Sequence, residues 1–116
     1  SLAKHDAILA PLADRLREAW ARIEESIAVL RTAEGATAYD NATPFLWAFG
    51  HAVLGWLWLD IAARAGSLDA IDPGFRAGKL RACRFFFESE LPKVEAWLAP
   101  VTALSDVAAS MTPEMF

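Results

Sequence analysis

Cysteine is almost missing from this chain: Cys83 is the single one in 116 residues. An internal disulfide and a cysteine-based zinc site are therefore both excluded, and Cys83 is expected to pack as a small hydrophobe. Histidine is nearly as scarce. His5 and His51 are the only two, and neither follows a glutamate at the Glu-x-x-His spacing that di-iron bundles use. No carboxylate cluster stands near them to complete a metal site. The six glycines never fall into a Gly-x-Gly-x-x-Gly or P-loop pattern. Positive charge is in deficit too, with 11 Lys and Arg against 15 Asp and Glu and a net charge of −4. That balance gives nucleic-acid binding no clustered basic footprint. Arg76, Lys79, Arg81 and Arg84 are spread around a helix and read as a solvated face. Strand-like alternation and internal repeats are absent as well.

Apolar residues are not scarce. They make up 55% of the chain, above the roughly 45–50% of ordinary globular chains, which predicts surface buried outside the fold itself. The excess is concentrated between Thr43 and Leu59, a run of 17 residues with no fixed charge and three of the five tryptophans. At about 100° per helical residue, Trp47, His51 and Trp58 share one side with Leu54 and Ile61. Phe45, Phe49, Ala52 and Trp56 lie opposite. A helix apolar on two faces is a central element covered on both sides, and a chain this short is expected to borrow part of that cover from a partner. The run sits at the short limit for a membrane span, contains Pro44, Gly50, His51 and Gly55, and has no flanking Lys or Arg cluster. It is read as no span.

Around it the pattern is all-α: an antiparallel, up-down bundle of three long helices, the third broken near Pro92 to give a fourth. From Leu2 to Arg31, the residues Leu9, Leu12, Leu16, Ala19, Ile23, Ser26 and Leu30 recur in steps of three and four, a bundle seam. Pro11 predicts a kink or a helix start, and Glu18 with Arg22 is spaced for an ion pair. Thr32 to Asn41 reads as a loop. Thr43 as cap and Pro44 at the first position open the second helix, which is expected to stop near Ala65 at Gly66. Asp60 and Arg64 share its polar edge. Asp72-Pro73 opens the third helix, with Phe75, Gly78, Ala82 and Phe86 as its inner stripe. Lys79 falls near that stripe, so its stem is expected to be buried and its ammonium partnered, by Asp60 or by an acid elsewhere. Beyond Leu91-Pro92, the residues Val94, Trp97, Leu98, Val101 and Leu104 keep bundle spacing, and Ser105 to Phe116 form a short frayed helix and tail.

No catalytic constellation emerges. Glu88 and Glu90 point in different directions on a helix, and His51 reads as a core histidine bonded to a carbonyl or carboxylate. No catalytic, cofactor-binding or metal residue is assigned. The structural or interface candidates are Phe45, Phe49, Trp56, His51, Asp60 and Lys79.

Three segments carry a family resemblance: Ala42 to Ala62 (Ala-Thr-Pro-Phe-Leu-Trp-Ala-Phe-Gly-His and onward), Phe75 to Pro92 with its Phe-x-x-x-Lys-Leu pattern running to Leu-Pro, and Met111-Thr-Pro-Glu-Met-Phe116. Their order and spacing resemble the extra C-terminal helical domain of a branch of the acyl-CoA dehydrogenases, the one acting on 3-methylthiopropionyl-CoA and related thioesters. The resemblance implies an oxidoreductase as parent, in which a glutamate takes the α-proton and hydride passes to FAD. It places the flavin, the thioester pocket and that glutamate in a preceding core, so no such residue is carried over here, Glu88 and Glu90 included. The whole of 1–116 is then expected to be a single domain excised from a larger enzyme, consistent with a start at serine and with no signal peptide in Ser-Leu-Ala-Lys-His-Asp. The implied partners are the catalytic core of the same chain and a second subunit, in the cytoplasm. Two other readings stay open. One is a stand-alone ligand-binding or dimerisation module with a pocket lined by Trp56, Phe87 and Trp97. The other is a module resting on a lipid surface.

Overall fold

A computed structural model describes residues 2–68 and 72–116. Among them every regular element is helical: α1 (Leu2–Leu30), α2 (Ala36–Asp40), α3 (Ala42–Ser67), α4 (Pro73–Phe85), a π-helical turn (Phe86–Glu90), α5 (Lys93–Thr102) and a 3₁₀ turn (Pro113–Met115). The expected up-down bundle is present. His5 of α1 meets Ala62 of α3 and Trp20 meets Phe49, so these helices run antiparallel. The α4–α5 rod returns along α3, with Arg76 reaching Ala65 at one end and Trp97 reaching Trp47 at the other.

The seam predicted on α1 is the one that is buried. Leu9, Leu12, Leu16, Ala19 and Ile23 enter the core, and Ser26 is fully covered because its hydroxyl donates to the Ile23 carbonyl at 2.7 Å. Pro11 lies inside α1 without ending it. Arg22 does not pair with Glu18. It reaches Glu25 at 3.6 Å and crosses to Glu95 of α5 at 3.2 Å, since a helix neighbour on another rod lies closer to the guanidinium than the turn behind it.

α3 is the central rod, touching α1, α2, α4 and α5. Its covered stripe is made of small residues, Ala48, Ala52, Gly55, Ala62 and Ala65, which lets neighbouring rods come close. A Cβ on Gly55 would already sit 3.1 Å from a Leu16 methyl and 3.5 Å from the Phe86 ring. The large residues therefore stay at the sides and outside, and the two apolar faces of α3 are not both covered within the chain. By length and composition α3 would also pass for a membrane span. Its bounds differ from the sequence expectation at both ends. Asn41, not Thr43, is the residue before the first turn, and its buried amide donates to the carbonyls of Thr37 (2.8 Å) and Ser105 (2.9 Å), pinning the tail to this corner. Gly66 does not stop the helix, which continues to Ser67 because Arg76 donates to the terminal carbonyls of Ala65 (3.0 Å) and Leu68 (2.5 Å). The segment read as a loop also contains α2, entered through Gly35 at φ 59°.

Asp72 caps α4 as predicted, its carboxylate accepting from the Phe75 N–H at 3.0 Å. Of the inner stripe expected on α4, Phe86 is buried, but Phe75, Gly78 and Ala82 are not. Cys83, Phe86 and Phe87 are the buried residues between Pro73 and Glu90, with Leu80 against the core, while Phe75 is 54% exposed. Leu80, Cys83 and Phe87 form the regular α-helical series that meets the core, and the rod then changes pitch ahead of Pro92. A proline there lacks an N–H and crowds the carbonyl four residues back. The chain answers with a π-turn in which the Leu91 N–H bonds the Phe86 carbonyl at 2.9 Å. Phe86 and Phe87, the first two residues of this wider turn, are both buried. α5 then buries Val94, Leu98 and Val101. The chain turns away at Leu104, whose φ of 48° lies in the left-handed region that ends helices.

Candidate functional site

The residues singled out on α3 do not converge on one point. Phe45 and Phe49 stack at 6.2 Å, and the Phe49 ring meets Trp20 of α1 edge-on at 5.5 Å. Trp56 is 55% exposed. Asp60 is taken by Arg64, whose Nε donates to both carboxylate oxygens at 3.0 Å. Asp60 is therefore not the partner of Lys79. The Lys79 ammonium lies 5.0 Å from the centre of the Phe75 ring, a cation–π contact of the exposed kind. The outward rotation of Phe75 makes that contact available.

His51 has the richest surroundings. Its Nε2 lies 3.2 Å from the Glu90 carboxylate, and the same oxygen accepts from the Lys93 ammonium at 2.7 Å. The imidazole meets Trp97 edge-on at 4.6 Å and Phe86 at 5.7 Å. His51 was expected in the core, bonded to a carbonyl or carboxylate; it has the carboxylate partner but lies half-buried at the surface. Glu90 and Lys93 were not foreseen, because the π-turn and not α-helical spacing brings Glu90 to this side. Hydrogen bonds from Lys93 first and His51 second hold the Glu90 carboxyl below its usual range. A carboxylate held ionised by two donors, beside a histidine engaged through Nε2, is an orienting pair. Catalysis by such a pair needs a nucleophile or substrate proton within reach. Cys83 does not supply it: burial pushes its thiol up to about 11, and it lies fully covered in the core. No group of three or more metal-ligating side chains occurs among the described residues.

What surrounds His51 is a surface feature. Leu46, Trp47, Gly50, Leu54 and Trp97 join it around an open apolar groove of about 610 Å³. The floor is Gly50, whose missing side chain leaves space with nothing within 4 Å. Sequence reading noted the apolar run but not the groove, because the groove depends on where α5 places Trp97. A second concavity of about 430 Å³ has a polar wall of Arg15, Glu18, Glu88 and Glu95 above Phe87. The pocket envisaged between Trp56, Phe87 and Trp97 does not form. Phe87 lies under the polar concavity, Trp97 edges the groove, and Trp56 lines neither.

The protein-family model described as Acetyl-CoA dehydrogenase C-terminal like matches residues 1–112. No curated protein and no solved structure matches the chain.

Proposed function

The chain belongs to the acetyl-CoA dehydrogenase C-terminal-like family, and from that membership we propose that it is the non-catalytic helical domain of a FAD-dependent acyl-CoA dehydrogenase. Its task in that enzyme is packing, on the catalytic core, between subunits, or both. The parent removes hydrogens from an acyl-CoA thioester in the cytoplasm, and its motifs resemble those of the 3-methylthiopropionyl-CoA branch. FAD and the catalytic glutamate belong to the core, and this domain supplies neither.

The observation that carries the reading is the outer half of α3. Leu46, Trp47, Phe49, Leu54, Trp56, Leu57 and Ile61 are all exposed, with no fixed charge among them before Asp60. Such a surface on one small domain marks a protein–protein contact. A chain whose task were chemistry would instead gather convergent polar groups in a concavity. Here the imidazole of the groove is already bonded to Glu90, and the charged wall of the second concavity has no histidine or cysteine among its residues.

The test has two parts. The purified chain is assayed for bound flavin and acyl-CoA oxidation, and the expected result is neither. The chain is then added in trans to a catalytic core that lacks it, with binding read by calorimetry, and association is expected unless the domain serves only subunit contacts. Flavin that stays with the 116-residue chain through gel filtration would overturn the assignment of FAD to the core.

A further inference from the structure

The uncovered side of α3 has a period of its own. Trp47, Gly50, Leu54, Leu57 and Ile61 alternate in steps of three and four, the seam along which one helix packs another by knobs into holes. The four large residues of that seam are 40–54% exposed, while the small-residue stripe on the opposite side is covered by the chain's own helices.

Gly50 is a second and independent observation. Gly55 lies against Leu16, Leu91 and Phe86, and Gly66 lies against His5, so both are explained inside the chain. Gly50 meets nothing, although glycine in mid-helix is unfavourable. Gly78 is equally open, but its helix carries Arg76, Lys79, Arg81 and Arg84 around it. Only Gly50 opens into an apolar groove, and the knobs that would fill such a notch stand on the same seam.

We infer that the occupant is a second copy of this chain, its α3 lying antiparallel across the first with the two-fold axis crossing the outer seam midway between Gly50 and Leu54. In that register Leu54 of each copy enters the Gly50 notch of the other, and Trp47 of each packs on Leu57 of the other. A two-fold interface must be self-complementary in this way, knob and hole exchanged between the copies. Charge favours the same face. Each copy has a net charge of −4, yet Ala42 to Leu59 carries no fixed charge, so pairing here brings no acid against acid. Area agrees as well. The chain of 12.7 kDa exposes 7550 Å², whereas a globular monomer of that mass exposes about 6,200 Å². The surplus is spread over an elongated chain, 64 × 27 × 17 Å, and leaves room for the roughly 800 Å² that each partner buries in a standard interface. Its radius of gyration of 18.5 Å likewise exceeds the ~13 Å of a compact domain of this length. The proposal rests on the subunit-association half of the reading above and gives it a surface and a partner.

Light scattering on the chain across a concentration series tests it, together with Leu54→Arg and Gly50→Arg. Both positions lie on the outer surface of α3, and circular dichroism checks that helicity is kept. The expected result is a dimer for the native chain and a monomer for each variant. Mixing Gly50→Cys chains with Leu54→Cys chains should give a disulfide-linked dimer on oxidation, faster than either variant alone. That readout decides the matter if an arginine variant fails to fold. A native chain that is monomeric throughout overturns the pairing and leaves docking on a catalytic core standing. A dimer indifferent to both arginines, or cross-linking no faster in the mixture, overturns the α3 seam. Flavin in the chain would overturn the functional reading without touching either result.

Discussion

Glu90 reaches His51 across 39 residues of sequence, carboxylate to Nε2 at 3.2 Å, and it does so because the rod that carries it is not α-helical there. The π-turn ahead of Pro92 sets the phase of Glu90, while Phe86 at its start packs beside the His51 ring, so the hydrogen bond and the core contact meet at one turn. The pair also ties α3 to the π-turn at the edge of the groove, beside Trp97.

A pH dependence follows from that carboxylate. Its folded value is depressed below the ordinary 4.5 by Lys93 and then His51. The stability it contributes is fully present above about pH 4.5 and is lost as pH falls through the depressed folded value. Thermal melts of the native chain and Glu90→Gln, run from neutral to acid pH, should differ at neutral pH and converge in acid. A gap that is constant with pH would mean that the carboxylate's charge plays no part.

Cys83 should be chemically silent in the folded chain. Its thiol is pushed up to about 11 and is wholly covered, so neither thiolate nor access is available near neutral pH. Alkylation monitored by mass should be negligible under native conditions and rapid in denaturant, with a native rate that tracks opening of the α4 end of the bundle. Fast native labelling would place the thiol outside the core.

Asp72 holds the start of α4 through one bond, 3.0 Å to the Phe75 amide, with Pro73 already set at the first helical position. Asp72→Ala should lower stability by about 0.5–2 kcal/mol, read from denaturant melts. Asp72→Ser should recover most of that loss, because the hydroxyl can accept the same N–H. Equal losses in both variants would show that the carboxylate acts through charge and not as a cap.

What the sequence disclosed depended on which force set each feature. The α1 seam, the cap at Asp72 and the break at Pro92 are local, fixed by periodicity or by one residue's chemistry, and they stand where they were expected. The stripe of α4 was misplaced because the helical wheel alone does not say which side docks: packing on α3 turns Leu80 and Cys83 inward and leaves Phe75 outside. The ends of α3 were misplaced because tertiary partners extend it: Arg76 satisfies carbonyls that Gly66 was expected to leave free. Phe45, Phe49, Trp56, His51, Asp60 and Lys79 were chosen as apolar or isolated polar residues. Of these only His51 belongs to the groove, whose floor and far wall, Gly50 and Trp97, acquire meaning only when α3 and α5 are side by side.

Gly66 offers the sharpest check on how α1 docks, because two effects of opposite sign compete there. The His5 ring is buried, its Nε2–H donating to the Ala62 carbonyl at 2.6 Å, and a Cβ on Gly66 would run into three atoms of that ring. Helix propensity alone would make Gly66→Ala stabilising by about 0.5–1 kcal/mol. The collision outweighs this gain, since the ring is held between α1 and α3 and can yield only by giving up its bond to Ala62. The net effect should be destabilising by about 1–3 kcal/mol, the usual cost of overpacking. His5→Ala on its own also destabilises, by removing a buried contact. In the double variant the collision is gone while the propensity gain remains, so the combined loss should fall short of the sum of the single losses. Urea melts of the four chains give the cycle. A stabilising Gly66→Ala would mean that the first turns of α1 do not lie on the end of α3.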